Sequence, residues 1–196
     1  MFMCPMLAAA VRPYKTTGPA NNLQNVMRAL WEQHVEWTRM AIISAVENIA
    51  DADLVTKRLL RNPSDFAAVL MPYYGAEKAA GFEKLFREHL VIADQLVKAA
   101  KAGNKKAADD AEKHWYENAD LIARYLNSIN PYWSYSAFRQ MLFEHLGMTK
   151  NEAVYRISKK YAEDIAEYEK IEKEALMMAD AMTDGILRQF GVILNE

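Results

Sequence analysis

The residues best placed for chemistry in this chain are four histidines, His34, His89, His114 and His145. His34 falls inside an apolar seam that runs Leu23, Val26, Met27, Leu30, Trp31, His34, Trp37, Ala41 and Ala45. That three–four spacing marks the buried face of a helix. His89 takes the same place among Phe82, Leu85, Phe86, Ile92 and Leu96, and His114 among Ala107, Ala111, Trp115, Asn118 and Ile122. His145 follows Phe138, Met141 and Leu142 near the end of a shorter helix and is a candidate fourth ligand. Imidazole nitrogens, joined by carboxylates, suit iron, manganese or zinc. Glu88, Glu117 and Glu144 are the carboxylates closest in sequence, and Asp164, Glu167, Tyr168 and Glu172 on the last helix fall at a similar height. Trp31, Trp37 and Trp115 would wall such a site off from water.

The height of each histidine follows from helix geometry. With antiparallel neighbours, the start of the first helix, the end of the second and the start of the third share one end of the bundle. At 1.5 Å per residue this puts His34, His89 and His114 at depths of about 18, 21 and 15 Å. Core histidines at matching depth point to a metal layer, against the plainer reading of hydrogen-bonded core side chains. A di-iron oxidase of the ferritin type needs Glu-x-x-His on two helices, and the chain has none; His114-Trp-Tyr-Glu117 is the reverse order. A histidine-richer, haemerythrin-like arrangement stays open. Phosphate-binding glycine loops, G-x-S-x-G, H-E-x-x-H and C-x-x-C are absent, so no nucleotide cofactor is expected.

The elements that position these residues read as helices throughout. The first helix starts at Asn21 or Asn22. A long connection over 51–75 carries two short helices, the first ending at Asn62-Pro63 and the second at Pro72-Tyr-Tyr-Gly75. The second and third long helices span about 76–102 and 105–126, separated by Gly103-Asn104. Asn130-Pro-Tyr-Trp-Ser-Tyr135 reads as an aromatic plug over a bundle end, close to the Pro72–Gly75 turn. A short helix over 136–146 stops at Gly147. Thr149-Lys-Asn-Glu152 has the form of a capping box and opens a last helix of roughly 55–60 Å. No internal repeat is evident.

With 196 residues, 52% hydrophobic residues and only 7 Gly and 6 Pro, the chain has enough apolar surface for one helical domain and too few turn residues for an all-β fold. A net charge of −2 gives no pull towards nucleic acid or an acidic membrane. The single cysteine, Cys4, excludes an intrachain disulfide and fits a reducing, cytoplasmic setting. No segment has the length of a charge-free membrane span.

The strings LWEQHVEWTRMAIIS, LLRNPSDF, PYYG, REHLVIA, INPYW and FEHLGMTKNEAV resemble a family of small bacterial proteins of unknown function, over about 23–190. Its members are sometimes labelled acetylglutamate kinase or glycosyltransferase, folds that need an α/β alternation this chain lacks. The EH pairs at 88–89 and 144–145 also look like those of a second uncharacterised family of helical bundles with ferritin-like architecture. The resemblance implies a bundle and no activity.

The expectation is therefore an all-α, up-and-down four-helix bundle, ferritin-like, over 22–196 behind a flexible tail over 1–21, with extra short helices in the first connection and before the last helix. Its site would be His34, His89, His114 and His145 with Glu88, Glu117 and Glu144, holding a metal ion, with redox chemistry as one role open to it. The alternative is a bundle without metal that self-associates or binds a partner through its long C-terminal helix.

Overall fold

The computed structural model describes residues 18–191, and among them every regular element is helical. Five long helices, α1 (Pro19–Glu47), α3 (Asn62–Lys101), α4 (Lys105–Ile129), α5 (Tyr135–Ile157) and α6 (Tyr161–Phe190), are joined by a two-turn α2 (Ala52–Leu59). None is long and apolar enough to cross a membrane.

Although its helical hydrogen bonding is nearly continuous, α3 is two arms folded against each other at Gly75. A straight helix would hold residues 19 positions apart at about 28 Å, yet Ser64 Oγ donates to Glu83 Oε1 at 2.6 Å. Phe66 also packs on both Phe82 and Phe86. The reversal is made by Gly75, whose φ of 79° and ψ of 166° lie in a region open essentially to glycine alone.

The arms alternate in direction around a closed ring. His34 meets Asn62 while Trp31 meets Phe66, so α1 and residues 62–74 are antiparallel. Tyr116 packs on Phe143 and Lys150 pairs with Glu112, which sets α4 against α5. Arg28 pairs with Asp180 and Arg39 with Asp164, which sets α6 against α1 and closes the ring. The result is six up-and-down arms, where the sequence suggests four. α1 and residues 76–101 run parallel, because the arm made of α2 and residues 62–74 lies between them. This corrects the antiparallel assumption behind the depth estimate.

The six arms are three repeats of one helical hairpin. On the ascending arms, Met27, Phe82 and Phe138 are equivalent, as are Trp31, Phe86 and Leu142, then His34, His89 and His145, then Val35, Leu90 and Leu146; all twelve are buried. On the descending arms, Asn62, Asn118 and Glu174 correspond, as do Phe66, Ile122 and Met178, and Ala67, Ala123 and Ala179; again all are buried. The spacing between equivalent residues is 55 or 56 throughout. Only the histidine and alanine sets keep one residue type in all three hairpins, so the repeat is clearer in burial than in identity and escapes a reading by similarity. α2 takes the place of the first part of a descending helix.

The repeat extends to the helix ends. Asn48, Gly103 and Lys159 each follow an ascending arm, and all three have positive φ, at 56°, 69° and 58°. Only Gly103 adopts that conformation without a Cβ penalty.

Several boundaries differ from expectation. α1 begins at Pro19 with Gly18 before it, so Asn21 and Asn22 lie in its first turn; Cys4 lies outside the described residues. α5 runs through Gly147 to Ile157, so Thr149 and Glu152 are buried mid-helix side chains and not a capping box. A helical glycine costs only about 1 kcal/mol against alanine and packing overrides it. α6 consequently has 30 residues against 29 in α1, about 45 Å in place of the 55–60 Å expected. The aromatic plug is present: Trp133 is fully buried, its indole donates to Met182 O at 3.1 Å, and its ring packs on Tyr74.

These conformations give two stability tests by urea denaturation. Gly75→Ala is expected to destabilise by about 1–3 kcal/mol by straining the reversal. Lys159→Gly is expected to stabilise by on the order of 1 kcal/mol; an unchanged or lower midpoint for Lys159→Gly would contradict the hairpin-cap reading.

Candidate functional site

The repeat brings His34, His89 and His145 into the core, each no more than 3% exposed. Each is followed 28 or 29 residues later by the side chain that binds its ring, on the descending arm of its own hairpin. His34 Nδ1 and Asn62 Oδ1 are 3.2 Å apart, and Asn62 Nδ2 donates to Leu30 O at 3.0 Å. His89 Nδ1 and Asn118 Oδ1 are 2.9 Å apart, and Asn118 Nδ2 donates to Leu85 O at 3.2 Å. In the third hairpin Glu174 Oε2 lies 2.9 Å from His145 Nδ1.

This pattern fixes the tautomers. A backbone carbonyl can only accept, so it orients the amide of Asn62, and likewise Asn118, with nitrogen towards the carbonyl and oxygen towards the ring. The ring must then carry its proton on Nδ1. The Glu174 carboxylate imposes the same choice on His145. In His34 and His89 this leaves Nε2 as a lone pair, and none of the three Nε2 atoms has a hydrogen-bond partner among the described residues.

Aromatic rings enclose the layer. His34 stacks on Phe86 at 4.9 Å between centroids and lies 5.7 Å from His145. His89 packs on Trp115 at 5.3 Å, and Trp31 touches His34 and His145. The indole nitrogens of Trp31 and Trp115 are buried without partners, as are Thr149 Oγ1 and Glu174 Oε1. A buried group left unpaired costs on the order of 1–3 kcal/mol, so four of them around one layer call for a cause.

Burial depresses two of the imidazoles. His34 titrates well below the ordinary histidine range, chiefly through burial and then through the neighbouring His145 and His89. Burial lowers His89 to about 3, against the opposing effect of its bond to Asn118. Two turns along α5 from His145, Glu152 is raised to about 7, because burial outweighs the adjacent Arg39 guanidinium. Arg39 spans Glu152 and Asp164, and Arg156 also reaches Asp164.

The remaining expected ligands face solvent. His114 is exposed because Trp115 holds the inward position, and adjacent helical residues point about 100° apart. Glu88 and Glu144 each precede a buried histidine and are exposed for the same reason, while Glu117 pairs loosely with Lys113 at 3.8 Å. Of the residues expected from α6, Asp164 and Glu167 engage other ion pairs, Tyr168 lies under Arg39 and Glu172 is exposed. Trp37 packs against Arg58 instead of the layer. Asn62 and Glu174 were not among the expected site residues; their separation of 28 and 29 from a histidine is the signal that finds them.

As placed, no group of three or more His, Cys, Asp or Glu side chains among the described residues could hold a metal ion. The two rings nearest each other are His34 and His145, while His89 leans on Trp115. Compared with protein-family models, with curated proteins and with solved structures, the chain finds no match.

The depressed histidines make stability fall in acid. With a folded pKa of about 3 and an unfolded value of about 6.5, His89 contributes stability above pH 6.5 that is lost as pH falls towards 3. Glu152 has the opposite sign: the stability it gains from protonation is present in acid and is lost as pH rises through about 7. The difference between wild type and His89→Gln isolates one proton. Between pH 6 and 5 the variant should lose about 1.2 kcal/mol less stability than wild type, read from urea midpoints on chelator-treated protein. Parallel pH dependences would exclude the neutral buried His89.

Proposed function

We propose that the chain binds a first-row transition-metal ion in its core through Nε2 of His34, His89 and His145. The observation that carries this reading is that all three Nδ1 atoms are anchored by a second side chain, which leaves three Nε2 atoms without a partner in one layer. Ligating histidines are held in this way by amide or carboxylate oxygens that set tautomer and orientation. His34 and His89, which burial keeps neutral, also need no deprotonation before they coordinate. Zinc and ferrous iron suit a three-imidazole set better than manganese, which prefers carboxylate oxygen; Glu174, behind His145, supplies the carboxylate–histidine relay.

Coordination by all three rings requires them to turn about their anchors, and His89 to leave Trp115. Trp115 fluorescence should therefore change on binding. A ferritin-like bundle also carries its metal between facing helices; this chain would share that principle with six arms in place of four. His114, Glu88, Glu117 and Glu144 take no part.

Elemental analysis of untagged protein from cells supplied with iron, manganese and zinc should find about one ion per chain. His34→Ala, His89→Ala and His145→Ala should lose it while His114→Ala keeps it. Metal-free wild type, or equal retention in all four variants, would refute the assignment.

A second reading, self-association through α6, rests on Ile165 and Met177, which are large apolar side chains exposed on that helix. Light scattering that finds only monomer would remove it.

A further inference from the structure

A cavity of about 200 Å³ lies between α1, α2, residues 76–101, α4 and α5. Its position follows from the repeat. Thr38, Ala93 and Thr149 line it, and each is four residues beyond one of the three buried histidines on a parallel arm. The cavity therefore begins about one helical turn beyond the histidine layer and continues to Ala45, Ala100 and Ile157, towards the end of the bundle. Both ends of the described chain lie at the opposite end, where Gln24 and Arg28 meet Asp180.

The lining selects a type of occupant. Most of it is aliphatic, including Ile42, Leu90, Leu96 and Ala153. The charged side chains that line it are already paired: Asp94 with Lys98, Asp109 with Lys105 and Glu112 with Lys150. No free ion is left to receive a charged ligand. The two buried polar lining atoms without partners are neutral, the Trp115 indole nitrogen and the Thr149 hydroxyl. Apolar cavities on the order of 150 Å³ stay dry and accept molecules the size of benzene.

We infer that this axial cavity is a binding site for an uncharged, mainly apolar small molecule carrying one hydrogen-bonding group. The group meets Thr149 or Trp115 and the apolar body fills the space between the ascending arms. The inference goes beyond the metal reading and does not depend on it, since the lining contains none of the three histidines.

The test is calorimetric titration of the full, chelator-treated chain with 1-hexanol, hexanoate and hexylammonium, which share a chain length and differ in head-group charge. Saturable binding of 1-hexanol is expected, at least about tenfold tighter than either ion, a difference of 1.4 kcal/mol. Ala45→Phe and Ala153→Leu, which reduce the space, should each weaken it by a similar factor while far-ultraviolet circular dichroism is retained. Absence of saturable 1-hexanol binding, equal affinity for an ion, or undiminished affinity in a folded space-filling variant would each overturn the site. The head-group series on the unaltered chain decides the matter even where a variant does not fold. Failure here with metal retained would leave the ion-binding reading standing, and the converse also holds.

Discussion

An imidazole ring buried in an apolar core must have its polar atoms met, and in this protein the descending arm of each hairpin meets one of them. Asn62, Asn118 and Glu174 reach their rings only if each hairpin keeps its register. The two asparagines are used at both ends, ring on one side and backbone carbonyl on the other. A shift of one residue would turn the asparagine away and leave both groups unsatisfied in a medium that penalises each. Apolar packing alone would tolerate several registers of these alanine- and leucine-rich faces. The three polar bridges select among them, which is a use of buried polarity for specificity.

The scaffold is close to threefold while its electrostatics are not. Two hairpins hold their rings by neutral amides and the third by a carboxylate whose second oxygen has no partner. The same side of the molecule holds the buried Arg39–Glu152 and Arg39–Asp164 pairs. Breaking a buried ion pair from one side costs more than either group contributes alone. α1, α5 and α6 are therefore tied electrostatically where the other hairpins are tied by amides. A repeat that has diverged in charge around a symmetric layer makes its three nitrogens inequivalent, with His145 the most electron-rich by virtue of Glu174.

Much of this was legible in the sequence. The apolar periodicities locate the ascending faces, and His34, His89 and His145 all fall within them. His114 misled because it is adjacent to an equally plausible inward residue, and a seam drawn from Ala107 and Ala111 passes through both His114 and Trp115. Burial decides for the larger apolar surface of tryptophan. The depth argument set His34 and His89 at one height from a wrong premise, and it placed the exposed His114 beside them where His145 lies. It took α1 and residues 76–101 as antiparallel, whereas the arm made of α2 and residues 62–74 adds a reversal. His34 and His89 lie near the middle of their arms, so counting from either end gives a similar height. The repeat was hidden because its equivalent positions hold Trp31, Phe86 and Leu142, or Phe66, Ile122 and Met178, which share volume and apolarity but not identity. Packing constrains those properties and leaves the residue type free.

The unmet groups around the layer are of two opposite kinds, and this bears on what the core is built to hold. The three Nε2 atoms are electron-pair donors, while the indole nitrogens of Trp31 and Trp115 can only donate hydrogen bonds. Trp31 sits 5.4 Å from His34 by ring centroid and Trp115 at 5.3 Å from His89, yet neither indole bonds an imidazole. The rings meet by an edge contact and a tilted one instead, so the donors and acceptors do not cancel each other. On the readings proposed above, a cation would answer the imidazoles and a neutral acceptor the Trp115 indole, for which the adjoining cavity would provide the space. The two proposals thus draw on different atoms in adjoining parts of the core, so neither occupant would displace the other.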